Sequence, residues 1–326
     1  MKISVLGCGR WGSFIAWYLN TLGHGVLLWG NETGNSYRVL KETGANEYVK
    51  LDKNIRLSCD LQEAVNHGET IVISISSQGL RSFMERVTKF DVSGKNFVLC
   101  MKGIEIDTGC RLSEVLVQSG IAQERVAVWV GPGHIQAFTQ GIPNCMVIDS
   151  TNDILKKLLA DELRSDLIRF YYGEDLIGTE IGAAAKNVMG IVGGVLDGCG
   201  YSSLKGSLMS RGAREVARLI KAMGGNELSA YGLAHLGDYE ATLFSEYSHN
   251  RGYGEHLVRG EAFARLAEGV PTALAMKKLG EKYGVDLPIT NAVYELCYTV
   301  SDEPCRVRCE RILAKLFARE TKSEFS

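Results

Sequence analysis

The chain has 326 residues, 45% of them hydrophobic and 23% charged. That is enough to bury the cores of two ordinary domains and too apolar for a disordered chain. The formal charge of −2 gives no broad electropositive surface, so nucleic acid is not an expected partner, although local basic patches stay open.

The first element is a strand over residues 2–6 that runs directly into Gly7-Cys8-Gly9-Arg10-Trp11-Gly12. This G-x-G-x-x-G spacing is followed by a helix-like run over 13–22, the strand–turn–helix context that a dinucleotide fingerprint requires. Gly7 permits a tight turn, Gly9 lets a pyrophosphate approach the backbone, and Gly12 lets the helix pack close to the strand. The helix N-terminus then offers its free N–H groups to the phosphates. A glycine-rich turn that binds nothing is the plainer reading. A strand at the very start leaves no room for a cationic and apolar leader.

Further strands are expected at 25–29, 70–75, 96–101, 126–130, 144–148 and 167–171, with helices over 80–88, 111–119 and 153–163 between them. Such alternation predicts an α/β domain over 1–173, a doubly wound, Rossmann-like, mostly parallel sheet whose active groups gather at the strands' carboxyl ends. Ser74 to Ser77, Lys102 and Gly131 sit at such ends. From 174 to 326 the strand signals fade. Helical runs over 174–196, 211–223, 260–266, 271–283 and 289–300 predict an all-helical second domain. The run over 181–196 is too short for a membrane span, is interrupted by glycines and carries Lys186.

Nine cysteines, an odd number with no C-x-x-C pair, read as free thiols of a reducing cytosol. Cys305 and Cys309 share a face if their segment is helical, but two thiolates without further ligands make a poor zinc site, so no metal is expected.

Lys186 is the sharpest candidate for chemistry. It is the only charge between Glu180 and Asp197, in a run of small and apolar residues. An ammonium in such surroundings is partly desolvated, which suits it to exchange protons near neutral pH. The competing reading is a lysine that snorkels to solvent. Lys102, in Lys102-Gly103-Ile104-Glu105, is placed to meet a phosphate or polarise a carbonyl, or is simply a surface lysine in a turn. In Gly131-Pro132-Gly133-His134 the backbone N–H groups suit a polar ligand. His134 lacks the partner geometry of a general base and reads better as a residue that caps or orients the turn. Asp238, in Leu236-Gly237-Asp238-Tyr239, and Ser248-His249-Asn250-Arg251 are polar islands in the helical half. The second is either a plain helix cap or a phosphate site at a helix N-terminus.

Taken in order, with Ala185-Lys186-Asn187-Val188 and Glu268-Gly269-Val270, these segments resemble the NAD(P)-dependent glycerol-3-phosphate dehydrogenase family over nearly the whole chain. The resemblance implies a dinucleotide-binding domain followed by a helical substrate-binding domain. It implies hydride transfer between sn-glycerol 3-phosphate and a nicotinamide, giving dihydroxyacetone phosphate on oxidation. Lys186 falls on the family's catalytic lysine, the proton acceptor and donor. Lys102, Gly131, Gly133, Asp238, Ser248, His249 and Asn250 fall on substrate positions. Gly7, Gly9, Arg10, Trp11, Gly12, Asn31, Lys102, Ile135, His249 and Glu268 fall on cofactor positions. The partners implied are a small phosphorylated substrate and NAD or NADP, in a cytoplasmic enzyme of phospholipid biosynthesis with no membrane span; a homodimer is compatible with this.

Departures from the family pattern border the substrate. Members usually read S-R-N-R where this chain has Ser248-His249-Asn250-Arg251. A histidine is shorter, largely neutral at pH 7, and unable to form a bidentate phosphate pair. Arg251 is near enough to compensate but should point elsewhere. The usual serine after Gly-Pro is Gly133, and Ile135 to Phe138 lack the customary acidic residue. After the second strand Asn31 offers no charge, and Glu32 suits a ribose hydroxyl better than a 2′-phosphate, which favours NAD. Two alternatives stay open: a related dehydrogenase with another hydroxy substrate, and a catalytically idle nucleotide-sensing protein.

Overall fold

The computed structural model describes residues 1–321, 323 and 324. The chain divides into two compact units: Met1–Met101 with Leu112–Leu176, and Lys102–Arg111 with Ile177–Ser326.

The first unit is built on strands β1 (Lys2–Leu6), β2 (Gly25–Trp29), β3 (Arg56–Ser58), β4 (Thr70–Ile73), β5 (Asn96–Leu99), β6 (Val126–Val130), β7 (Asn144–Asp149) and β8 (Ile168–Tyr172). Its helices are α1 (Arg10–Thr21), α2 (Asn35–Thr43), α3 (Leu61–His67), α4 (Leu80–Val87), α5 (Leu112–Gln118), α6 (Ile135–Thr139) and α7 (Asp153–Leu163). The eight strands form one sheet in the order β3-β2-β1-β4-β5-β6-β7-β8. Every pair is parallel except β6 with β7. The central strands bury both faces, which is why they read as continuous apolar runs such as Val126-Ala127-Val128-Trp129-Val130. Strand order reverses between β1 and β4, so the loops after these two strands flank the switch point at which doubly wound sheets bind ligands.

Helix α1 begins at Arg10, not at 13, with Gly9 as its extended N-cap. The helix N-terminus therefore lies inside the glycine fingerprint. β3, α2, α3 and α6 are additional to the elements expected from the sequence. β3 has three residues, and α6 has five.

The second unit contains α8 (Leu176–Cys199), which crosses the boundary by one residue, α9 (Lys205–Ala222), α10 (His249–Arg259), α11 (Gly269–Tyr283), α12 (Pro288–Tyr298) and α13 (Cys305–Phe317). α8 is buried nearly all round and forms its axis. No helix among the described residues is long and apolar enough to cross a membrane. Lys102–Arg111 joins this unit for physical reasons. Ile104 is fully buried in its core, Arg111 pairs with Glu180 at 2.6 Å, and the Lys102 carbonyl accepts from Asn187 at 2.9 Å.

The helix expected over 260–266 is absent. α10 stops at Arg259 because Gly260 takes a left-handed conformation, φ 70°, and caps it. The sequence marks a helix start at Ser248–Arg251 but no run beyond it, because α10 carries Gly252 and Gly254, which weaken helix propensity. Gly254 is needed for packing, since a Cβ there would lie 2.1 Å from the Ile191 carbonyl oxygen of α8. In α13, Cys305 is exposed and Cys309 buried.

Candidate active site

In the first unit the fingerprint folds into a cradle. Gly7 has φ 117°, and its N–H donates to the Trp29 carbonyl at 3.0 Å. A Cβ at Gly7 would lie 2.1 Å from the Ser74 carbonyl oxygen, and one at Gly12 would lie 1.8 Å from the Gly7 oxygen. Both glycines are therefore required by the close approach of β1, α1 and the loop after β4. Gly9 differs: nothing lies within 4 Å of a Cβ placed there, so its backbone faces open space at the first turn of α1. That is the arrangement a pyrophosphate needs, a helix N-terminus with no side chain in the way. Trp11 stacks on Phe14 at 5.2 Å and on Phe138 at 6.4 Å, and Arg10 lies over the Tyr48 ring at 5.9 Å.

The turn after β6 is equally constrained. Gly131 and Gly133 have φ 138° and 147°. A Cβ at Gly133 would meet the Phe138 ring at 2.3 Å. The serine usual at this position would meet both obstacles. His134 stands at the N-cap position of α6 with no side-chain cap bond. Ile135 is buried, so it can offer a ligand its backbone rather than its side chain. At the end of β2 the Asn31 side chain accepts from the Thr33 N–H at 3.3 Å and the Thr33 hydroxyl at 3.2 Å, and Glu32 is exposed.

The second unit gathers the charged candidates. Asp238 closes a 3-10 turn, Leu236–Asp238, and its side chain is 1% exposed. One oxygen, Oδ2, accepts from Lys102 Nζ at 2.7 Å and lies 3.0 Å from Lys186 Nζ. The other, Oδ1, is buried with no hydrogen-bond partner among the described residues. Lys186 also donates to the Thr242 hydroxyl at 2.9 Å, which donates to the Asp238 carbonyl at 2.7 Å. Lys186 thus turns inward to a carboxylate and a hydroxyl, which decides against simple snorkelling.

A second chain of bonds runs beside it. The Asn187 amide donates to the Lys102 carbonyl at 2.9 Å, and its oxygen accepts from Asn250 Nδ2 at 3.0 Å. Asn250 Oδ1 then accepts from the Gly269 N–H at 2.8 Å, next to Glu268 at the start of α11. Ser248 is the N-cap of α10, its hydroxyl accepting from the Arg251 N–H at 3.3 Å, and His249 is the first helical residue. Arg251 points away from this turn, into Asp197 at 2.6 Å and Glu255 at 2.7 Å.

Lys102, Lys186, Asp238 and Asn250 are therefore brought together. Thr242 and Asn187 were missed. Thr242 stands four residues after Asp238, a spacing that would have placed the two on one face of a turn. Asn187 adjoins Lys186 but carries no charge to draw attention. A separate cavity of about 500 Å³ in this unit is lined by Leu208, Glu215, Ile289 and Leu313 and contains none of these residues.

The family model for the N-terminus of NAD-dependent glycerol-3-phosphate dehydrogenase matches residues 2–155, and that for the C-terminus matches residues 175–304. The chain is 33% identical to the glycerol-3-phosphate dehydrogenase of Pelodictyon phaeoclathratiforme over 337 aligned residues, 99% of each chain. Identity to the Moorella thermoacetica enzyme of the same name is 35% over 309 residues, 91% of each. The crystal structure of glycerol-3-phosphate dehydrogenase from Coxiella burnetii matches with a TM-score of 0.89 and 25% identity, covering 97% of this chain and 98% of that one.

Proposed function

The chain belongs to the NAD-dependent glycerol-3-phosphate dehydrogenase family, and on that premise we propose that it interconverts sn-glycerol 3-phosphate and dihydroxyacetone phosphate with Lys186 as the proton-transfer group. The observation that carries this reading is the Lys102–Asp238–Lys186 cluster, with Asp238 Oδ1 buried and unbonded. A buried carboxylate oxygen without a partner is costly unless a ligand completes it. A polyol hydroxyl is a donor of the right kind.

In the reducing direction Lys186 gives a proton to the carbonyl oxygen as it becomes a hydroxyl; in the oxidising direction it takes that proton back. Asp238 orients the lysine, and Thr242 fixes its second contact. Lys102 polarises the same oxygen. Asn250 and the first turn of α10 are placed to hold the phosphate, through the asparagine amide and the positive end of the helix dipole. The nicotinamide, when bound, supplies or accepts the hydride. Gly7, Gly9, Gly12, Arg10 and Trp11 are the residues that fit its dinucleotide, with the open backbone at Gly9 as the supporting observation. The uncharged Asn31 and acidic Glu32 favour NAD over NADP. Nine cysteines without a pairing motif favour a reducing, cytoplasmic setting.

The test is Lys186→Ala. Loss of a general acid–base group is expected to lower kcat at least about a thousandfold, with cofactor affinity changed little, read by titration of NADH fluorescence. Retained turnover would remove Lys186 from this role.

A further inference from the structure

The helix that carries Lys186 packs through glycines against the two segments that follow Asp238. A Cβ at Gly190 would lie 2.8 Å from Thr242 Cγ2 and 3.0 Å from Asn250 Cβ. At Gly193 it would lie 2.6 Å from Leu243 Cδ2, and at Gly194 it would lie 1.9 Å from the Arg251 carbonyl oxygen. Close packing on glycines brings the π-helical turn Glu240–Phe244 and the first turn of α10 side by side on α8. It supplies little direction, because a smooth glycine face resists sliding poorly.

Asp197 stands one turn beyond Gly193 and Gly194 on α8 and supplies that direction. Its carboxylate accepts from Arg251 Nε at 2.6 Å, from Lys205 Nζ at 2.7 Å and from the Ser202 hydroxyl at 2.6 Å. Lys205 passes the contact on: its Nζ donates to the Leu243 carbonyl at 2.7 Å and lies 4.9 Å from the Phe244 ring centroid. Each arm thus ends one residue past a site residue. Leu243 follows Thr242, which holds Lys186; Arg251 follows Asn250, which holds Asn187. Glu255 takes the remaining face of Arg251.

We propose that Asp197 is a positioning residue that sets the spacing between the two walls of the substrate site, and that its effect falls on the phosphate end. The proposal rests on the function assigned above. The asymmetry follows from the two arms. Thr242 has its own bonds to Lys186 and to the Asp238 carbonyl, so the π-helical turn is held without Lys205. The first turn of α10 also has the Asn250 bonds to Asn187 and to the Gly269 N–H, but Asp197 grips this turn directly through Arg251, whereas it reaches the π-helical turn at one remove, through Lys205. The same lock explains why Arg251 does not replace the arginine that His249 displaces: its guanidinium is committed to two carboxylates.

The experiment compares Asp197→Asn with the parent enzyme on dihydroxyacetone phosphate and on dihydroxyacetone, which lacks the phosphate, at saturating reduced cofactor. A misplaced phosphate wall is expected to lower kcat/KM for the phosphorylated substrate about thirtyfold, mostly through KM. For dihydroxyacetone the expected change is less than about threefold, since the lysine end is held independently. Arg251→Gln should reproduce this ratio, and the double variant should be no worse than either single one. It serves as the reporter if Asp197→Asn does not fold. Equal losses on both substrates would reduce Asp197 to a general staple and overturn the proposal, as would an unchanged KM. A parent enzyme inactive on dihydroxyacetone phosphate would instead refute the assigned function.

Discussion

At Asp238 a single carboxylate oxygen serves two ammonium groups while its neighbour stays buried and unbonded. Removing one partner of a buried pair costs about 3–5 kcal/mol, so Asp238→Ala would confuse lost stability with lost chemistry. His249 offers a cleaner residue-scale test because it stands half-buried at the first position of α10. An arginine there adds a planar fork suited to a phosphate, and His249→Arg is expected to lower the KM for dihydroxyacetone phosphate several-fold, about tenfold at most. Steady-state kinetics would read it, and a raised KM would mean that the histidine itself makes the better contact. Lys186 was legible in the sequence because a lone charge in a run of glycine and alanine needs a reason. Asn187 and Thr242 were not, because an amide and a hydroxyl acquire meaning only from what the fold sets beside them.

Among the elements, the turn that presents Asp238 is braced by a buried histidine. His235 Nδ1 lies 2.8 Å from the Gly182 carbonyl of α8, and Nε2 lies 2.8 Å from the Tyr239 hydroxyl. With the ring N–H donating to Gly182, Nε2 accepts from the tyrosine. Burial pushes the imidazole down from the usual 6.5 to about 4, against the opposing pull of the Gly182 carbonyl. The unfolded chain takes up the proton more readily, so this stability is full above pH 6.5 and falls as the pH drops toward 4. The depression corresponds to a loss on the order of 3 kcal/mol. Denaturant unfolding of the parent and of His235→Gln at several pH values would test it. The parent should show the steeper decline between pH 6.5 and 4, and parallel curves would exclude His235 as the source. The sequence reading placed β1, β2 and β6 well, since long apolar strands declare themselves. The sequence marks a helix start at Ser248–Arg251 but not the body of α10, whose Gly254 serves packing on α8, and it puts a separate helical run over 260–266 because the positive φ of Gly260 leaves no periodic signal.

For the whole molecule, the change from alternating strands to helical runs near 173 announced an α/β part and a helical part. What that pattern could not carry is the detour of Lys102–Arg111. This segment follows a sheet strand, yet it belongs with the helices because Ile104 is buried among them and Arg111 pairs with α8. The detour puts Lys102 in the same unit as Lys186 and Asp238, and without it the cluster could not form. The glycine cradle and the lysine–aspartate cluster are thus products of separate units. The most direct test is the steady-state oxidation of NADH and of NADPH by the full-length protein, with and without dihydroxyacetone phosphate. Oxidation is expected to depend on dihydroxyacetone phosphate and to run faster with NADH than with NADPH. Absence of that dependence with both cofactors would contradict the assigned function.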